Sequence, residues 1–242
     1  MKVLIISDIH ANLPALEAVL DHCENIDAVW CLGDLVGYGP DPNECVQRVR
    51  SLPNLVCVLG NHDAAALGQI DLAAFNFDAQ QSTLWTQLTL TEENKRFLLS
   101  LSEKQTIEQV TLCHGSPQNP IWEYVLDTYT AQVNFQFFNT PYCFVGHSHL
   151  PLSYFQPKLG DEVQMHILHE NQPVTLVPRA ILNPGSVGQP RDHDPRASYV
   201  LFDTETLEWN MKRAAYPVED VQDRIRLYNL PGRHALRLTH GW

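Results

Sequence analysis

The sequence predicts an α/β fold (α+β in some schemes), with two packed β-sheets and helices outside them. Three observations predict it. The first sixty residues alternate short apolar runs with amphipathic segments in the order strand, helix, strand, helix, strand, which argues for parallel strands joined by right-handed crossovers. The middle of the chain carries helical patterning. From Leu152 onward the pattern turns to short strands. The chain has 242 residues and is 44% hydrophobic, enough for one sizeable core, and no linker or repeat divides it. The reading is one domain over residues 1–242, with 231–242 left undetermined.

Val3 to Ser7 is an apolar run fit for a buried strand. Asn12 is a fitting helix cap, Pro14 follows near the first helical position, and residues 15–20 carry helical apolar spacing. Ala28 to Leu32 is a second buried strand, Pro42 to Leu52 a helix, and Leu55 to Leu59 a third strand. Residues 71–88 and 91–101 read as helices, the second opened by Thr91-Glu92-Glu93. Gln105 to Cys113 reads as a hairpin or strand pair, Thr128 to Phe138 as a helix and Tyr142 to Val145 as a strand. Strand patterning recurs at 153–156, 163–168, 174–177, 180–183 and 198–203. Val218 to Tyr228 closes the series as a helix.

The net charge is −12 with histidine neutral, and no lysine- or arginine-rich run occurs. That composition disfavours binding to a nucleic-acid backbone, which needs a basic footprint. The six cysteines form no Cys-x-x-Cys pair, so a disulfide framework is not expected. No apolar stretch reaches the length of a membrane span, and the opening strand-like run lacks a signal-peptide pattern. The expectation is a soluble cytoplasmic protein, with a symmetric homo-oligomer as the default if it associates.

Five short clusters carry the chemistry: Asp8-Ile9-His10, Gly33-Asp34, Gly60-Asn61-His62-Asp63, His114-Gly115 and Gly146-His147-Ser148-His149. Each ends an apolar run, and a parallel sheet delivers its strand ends to one edge, where residues remote in sequence meet. Asp8 and His10 lie two apart, as do His147 and His149, and such side chains share a face of an extended chain end. The mixture of carboxylate, imidazole and amide suits two divalent ions rather than a structural zinc. Two divalent ions carry about +4, Asp8 and Asp34 about −2 and a bound hydroxide about −1, leaving roughly +1 to attract a phosphate. Metal coordination lowers the pKa of water toward ~7, and two ions ~3.5–4 Å apart can hold nucleophile and phosphoryl oxygens for in-line hydrolysis.

Together these clusters resemble the calcineurin-like metallophosphoesterase family. The resemblance implies a four-layer αββα sandwich of two mixed β-sheets flanked by helices. It implies Asp8, His10, Asp34 and His149 around one metal, and Asp34, Asn61, His114 and His147 around the other, with Asp34 bridging. It implies His62 as the group that protonates the leaving oxygen, with Asp63 orienting His62 or only packing nearby. The Ser/Thr phosphatases of this superfamily carry an Asp and an Arg shortly after the Gly-Asp pair. Here that segment reads Leu35-Val36-Gly37-Tyr38-Gly39, so the likeness is to the small prokaryotic phosphodiesterase-like members. A phosphodiesterase is therefore expected. A phosphomonoesterase or protein phosphatase is the alternative, followed by a non-catalytic protein-interaction scaffold. The ions are expected among Mn, Fe, Zn, Co and Ni, and the partner is a small phosphorylated substrate.

The segment Asn183-Pro184-Gly185-Ser186-Val187-Gly188-Gln189-Pro190-Arg191 resembles a loop of the same members, and its backbone N–H groups could approach an anion. Arg191 or Arg196 could then reach a phosphate, and Tyr38 could lean over a leaving group. For Arg191 the alternative is a surface pair with Asp192 or Asp194. Trp122, Tyr124, Tyr129 and Phe135 are read as packing residues first and cleft walls second. His234 and the other remaining histidines receive no role.

Overall fold

The computed structural model describes residues 1–158 and 160–242. In chain order the elements are β1 (Lys2–Ile6), α1 (Leu13–Asp21), β2 (Ala28–Cys31), α2 (Pro42–Arg50), β3 (Val56–Cys57), α3 (Asn61–Ala66), α4 (Phe77–Thr89), α5 (Glu92–Leu99), β4 (Lys104–Ile107), β5 (Val110–Cys113), α6 (Thr128–Asn134), β6 (Tyr142–Phe144), β7 (Pro151–Phe155), β8 (Gln164–Ile167), β9 (Val174–Thr175), β10 (Ala180–Pro184), β11 (Ala197–Asp203), β12 (Glu208–Ala214), α7 (Val218–Leu227) and α8 (Gly232–His240). They build two mixed six-stranded sheets, ordered β3-β2-β1-β11-β12-β9 and β4-β5-β6-β10-β7-β8. β1, β2 and β3 are mutually parallel, and so are β5, β6 and β10. The remaining pairings are antiparallel.

Strand alternation sorts the side chains into layers. Val3 and Ile5 of β1 join Trp30, Leu112, Tyr142, Phe144, Phe202 and Trp209 in the core between the sheets. Phe144 meets Phe202 edge-on at 5.3 Å and Trp209 at 4.7 Å between ring centres. Leu4 and Ile6 point the other way, onto Leu16 and Val19 of α1 and Val46 and Val49 of α2. Outside the second sheet, Cys113, Cys143 and Ile181 pack with Ala131 of α6 and Phe135 just after it. This is the expected helix–sheet–sheet–helix sandwich. All six cysteines are free.

Local chemistry sets the element ends. Asn12 caps α1 as expected, its side chain accepting from Ala15 N at 3.2 Å, and Thr91 caps α5 through Asn94 N at 3.3 Å. The helix expected from Asp71 begins later. Asp71 caps one 3₁₀ turn, Leu72–Ala74, and Asn76 caps α4 through Ala79 N at 3.1 Å. β3 is shorter than the apolar run 55–59, because Leu59 N turns away to Ser102 O at 3.0 Å.

Three elements were not anticipated: the short helix α3 directly after Gly60, β12 and α8. β12 buries Trp209, Met211 and Arg213 on alternate positions, a period of two disguised by charge. α8 occupies the undetermined C-terminal stretch. Pro231 precedes it and Gly241 ends it at φ 64°, the Pro-start and Gly-stop asymmetry of helix ends. α7 and α8 pack as a pair on Val221, Ile225, Leu230, Ala235 and Leu238, and Arg224 of α7 is ion-paired with Asp41 ahead of α2.

Candidate metal centre and active site

The carboxyl ends of β1, β2, β3, β5 and β6 converge, and all five sequence clusters meet there. Asp8, His10, Asp34, Asn61, His62, His114, His147 and His149 are each at most 4% exposed. Backbone bonds lock the loops together: Asp8 N donates to Gly33 O at 3.0 Å, His10 N to Asp34 O at 2.9 Å and Gly146 N to His114 O at 2.8 Å. The junction is tight. A Cβ on Gly33 would stand 2.7 Å from Gly60 N, and one on Gly60 would strike Asp34. Asp8, His10, Asp34, His147 and His149 all have φ between 49° and 64°. Non-glycine residues enter that left-handed region at a cost of order 1–3 kcal/mol each and persist where the surroundings over-determine them, typically at functional sites.

Hydrogen bonds fix the imidazole tautomers. His10 Nδ1–H donates to Val36 O at 3.2 Å and His149 Nδ1–H to Gln189 O at 2.5 Å. Both Nε2 atoms therefore present lone pairs, yet they stand 3.1 Å apart. Asp8 Oδ1 lies 3.3 Å from His149 Nε2, and Asp34 Oδ2 lies 3.6 Å from His10 Nε2. Neither carboxylate oxygen has a hydrogen-bond partner. Burial holds both rings well below the ordinary histidine pKa, so no proton relieves the contact. Four buried acceptors facing one another fit a cation.

A second group adjoins it. His114 Nδ1–H donates to Leu32 O at 2.8 Å, and His147 Nε2–H to Trp122 O at 3.1 Å. His114 Nε2 then faces Asn61 Oδ1 at 3.0 Å, His147 Nδ1 at 3.2 Å and Asp34 Oδ2 at 3.2 Å. Burial lowers His114, but the carboxylates of Asp34 and Asp8 outweigh it and raise the ring to about 10. The negative charge gathered around this ring suits a second cation. Asp34 Oδ2 faces both groups, the geometry of a bridging ligand. Burial raises Asp8 to about 7 against the pull of His114.

His62 stands beside these groups on α3. One ring nitrogen lies within 4.8 Å of ligand atoms of His10 and Asp34, and Nδ1 has no partner among the described residues. Its backbone N–H donates to Asp34 Oδ1 at 2.8 Å. Burial lowers the ring to about 4, against Asp34 and with help from Arg191. Asp63 does not orient this ring. Its two oxygens accept from Val36 N and Gly60 N, each at 3.1 Å, so it braces the loops that carry Asp34 and Asn61.

The remaining candidates divide. Tyr38 lies over the site, its ring 4.4 Å from His10 and 4.3 Å from His62. Arg191 is free to face it, because Asp192 is ion-paired with Arg213 and Asp194 with Arg196 at 2.6 Å. Arg196 is not at the site: its guanidinium is committed to Asp194 and to Glu170 at 3.0 Å. The loop 183–191 is not an anion cradle either. Gly185 N donates to Asn183 Oδ1, Val187 N to Ser7 O, Gly188 N to Asp8 O and Gln189 N to Ser186 Oγ. Those N–H groups are spent on bracing Asp8 and the His149 loop.

Sequence reasoning missed three side chains here. Phe75 packs 4.9 Å from His62 and 5.0 Å from Trp122, forming a wall that Tyr124 extends by stacking on His147 at 3.7 Å. Arg237, on α8, comes up against Gln189, its Nη1 3.5 Å from Oε1. His234, also on α8, stands 4.7 Å from Tyr38 and donates Nε2–H to Asp78 O at 3.3 Å. Phe135 is core, as expected of a packing residue, whereas Tyr129 is exposed and neither packs nor lines the cleft. No local pattern marks Phe75, His234 or Arg237, since each arrives from an element outside the motifs.

Burial lowers His234 from 6.5 to about 4. A depressed histidine contributes stability that is complete above pH 6.5 and lost as pH falls toward 4. At ~1.4 kcal/mol per pKa unit the loss approaches roughly 3 kcal/mol. Urea unfolding at pH 7.5 and 4.5 is expected to show wild type losing about that much more stability than His234→Gln. Equal losses would assign the acid sensitivity to other groups.

A profile of the calcineurin-like phosphoesterase superfamily domain matches residues 1–207. The chain belongs to that family. A crystal structure of a metallophosphoesterase from Sphaerobacter thermophilus superposes with a TM-score of 0.92 at 43% identity, covering 100% of this chain and 99% of that one. An uncharacterised protein of Methanocaldococcus jannaschii is 39% identical over 237 residues, 95% of this chain and 93% of its own length. The phosphodiesterase YfcE of Escherichia coli is 26% identical over 218 residues, 86% of this chain and 90% of its own length. The family is one of metal-dependent phosphoesterases, and the His and Asp groups gathered here could hold metal. No helix among the described residues is long and apolar enough to cross a membrane.

Proposed function

We propose that this protein is a phosphohydrolase using two divalent ions, with phosphodiesters as its preferred substrates. The buried His10–His149 contact carries the reading: two carbonyl-fixed imidazoles aim lone pairs at each other and at unpartnered carboxylate oxygens, which a cation reconciles. Asp8, His10, Asp34 and His149 would hold one ion, and Asp34, Asn61, His114 and His147 the other. Histidine and carboxylate without thiolate suit Mn, Fe, Zn, Co or Ni. When bound, such ions supply a nucleophilic water near neutral pH and neutralise phosphoryl charge.

The chain's own groups do the rest. Asp34 Oδ1 holds the His62 backbone and fixes that ring beside the ligand groups. His62 is placed to protonate the leaving oxygen. Burial holds the free ring down at about 4, and the negative charge a substrate brings acts the other way. Tyr38 is placed to orient a phosphoryl oxygen of the scissile group, and Arg191 to meet a further anionic group of the substrate. The diester preference rests on the segment Leu35–Gly39, which supplies no phosphate-clamping arginine. The whole chain is read as one domain, because α8 brings His234 against Tyr38.

Metal-stripped protein is expected to hydrolyse bis(4-nitrophenyl) phosphate only after Mn²⁺ is restored, and faster than 4-nitrophenyl phosphate. Full activity after stripping overturns the metal role, and a faster monoester overturns the diester preference.

A further inference from the structure

Gln189 is 2% exposed and joins two parts of the site. Its carbonyl accepts from His149, and its side-chain Oε1 lies 3.3 Å from Arg191 Nη2 and 3.5 Å from Arg237 Nη1. One neutral oxygen thus sits between two guanidinium groups. Among the described residues neither arginine has a carboxylate within 4.0 Å, since the nearby acids are taken by Arg196 and Arg213. The Nε of each is buried without a partner. A third cation, Arg233, stands near Arg237, the two lying 5.9 and 5.8 Å over the Trp242 ring. This concentration of unpaired positive charge occurs in a chain of net charge −12. An amide oxygen does not balance two cations, whereas an anion with several acceptor oxygens does.

The position selects the anion. Tyr38 contacts His10 and His62 and also His234, which lies three residues before Arg237 on α8. Arg191 therefore borders the groups that would serve the scissile phosphate, and Arg237 faces Arg191 across Gln189 Oε1. We propose that Arg191 and Arg237 form a second anion subsite that receives the phosphate next to the scissile one. The preferred diesters would then be those carrying a diphosphate linkage, an inference that rests on the phosphohydrolase reading above. Burial and repulsion from Arg191 lower the Arg237 guanidinium from its ordinary value, as expected of a cation awaiting its counter-ion.

Two matched esters test this with Mn²⁺-loaded protein: thymidine 5′-monophosphate and thymidine 5′-diphosphate 4-nitrophenyl esters, with products resolved by chromatography. Wild type is expected to favour the diphosphate. Arg237→Gln is expected to reduce the diphosphate-over-monophosphate ratio of kcat/KM about tenfold or more, and Arg237→Lys less so. An unchanged ratio overturns the subsite. Calorimetry with methylenediphosphonate and methylphosphonate reads the subsite without turnover. If neither ester is cleaved but Arg237→Gln selectively weakens diphosphonate binding, the subsite stands and the hydrolase reading falls. If diphosphonate binds both proteins alike, the subsite falls. Should the Gln variant not fold, Arg237→Lys decides, because a point charge cannot reproduce the planar fork.

Discussion

His62→Ala is expected to lower turnover of a phosphodiester by about 10²–10⁴-fold, the range for a lost general acid. Bound metal should stay at the wild-type level, because each proposed ion keeps its full set of ligands without His62, whose ring stands beside His10 and Asp34 and whose backbone N–H holds Asp34 Oδ1. The loss should depend on the leaving group. A 4-nitrophenolate departs with little protonation, whereas phenolate needs the proton more. Comparing kcat for the 4-nitrophenyl and phenyl diesters therefore separates proton donation from placement. A deficit equal for both would remove the acid role and leave His62 as a packing group against Phe75 and Tyr38.

Asp34→Asn is expected to do more harm. Asp34 Oδ2 faces His10 Nε2 at 3.6 Å and His114 Nε2 at 3.2 Å, so one atom serves both ligand groups. An amide keeps the shape and can still accept from the His62 N–H, but it lacks the charge that joins the two groups. Metal analysis should show fewer than two ions per chain. Turnover should fall about 10³-fold or more, beyond the ~10–100-fold typical of residues that only support a ligand. Two retained ions with near-normal turnover would exclude a bridging role.

The expected strand ends and the structure agree because both follow from one rule. A short apolar run closed by Gly-Asp, Gly-Asn or Gly-His, or directly by the polar Asp8 or His114, is a buried parallel strand whose carboxyl end must turn. Hence Asp8, Asp34, Asn61, His114 and His147 were legible as a set before any coordinate. The errors arose where local pattern and tertiary contact disagree. Glu208 to Ala214 conceals a strand because Lys212 and Arg213 mask the alternation of Trp209 and Met211. Asp71 resembles a helix start as much as Asn76 does, and only packing of α4 chooses the latter. The loop Asn183–Gln189 reads as an anion cradle until its N–H groups are seen donating to Ser7 and Asp8.

By itself the sequence determined the two packed sheets with helices outside and the succession of the early strands, since these depend on residue type and short-range periodicity, while the proposed ligand set and His62 followed from the family resemblance of five short clusters. Only the tertiary structure decided which arginine faces the site. Arg191 and Arg196 are equivalent in sequence, and the ion pairs of Asp192 and Asp194 separate them. It also turned Asp63 into a brace and brought Phe75, His234 and Arg237 to the cleft. Those assignments depend on where remote side chains come to rest in three dimensions, and no local spacing encodes that.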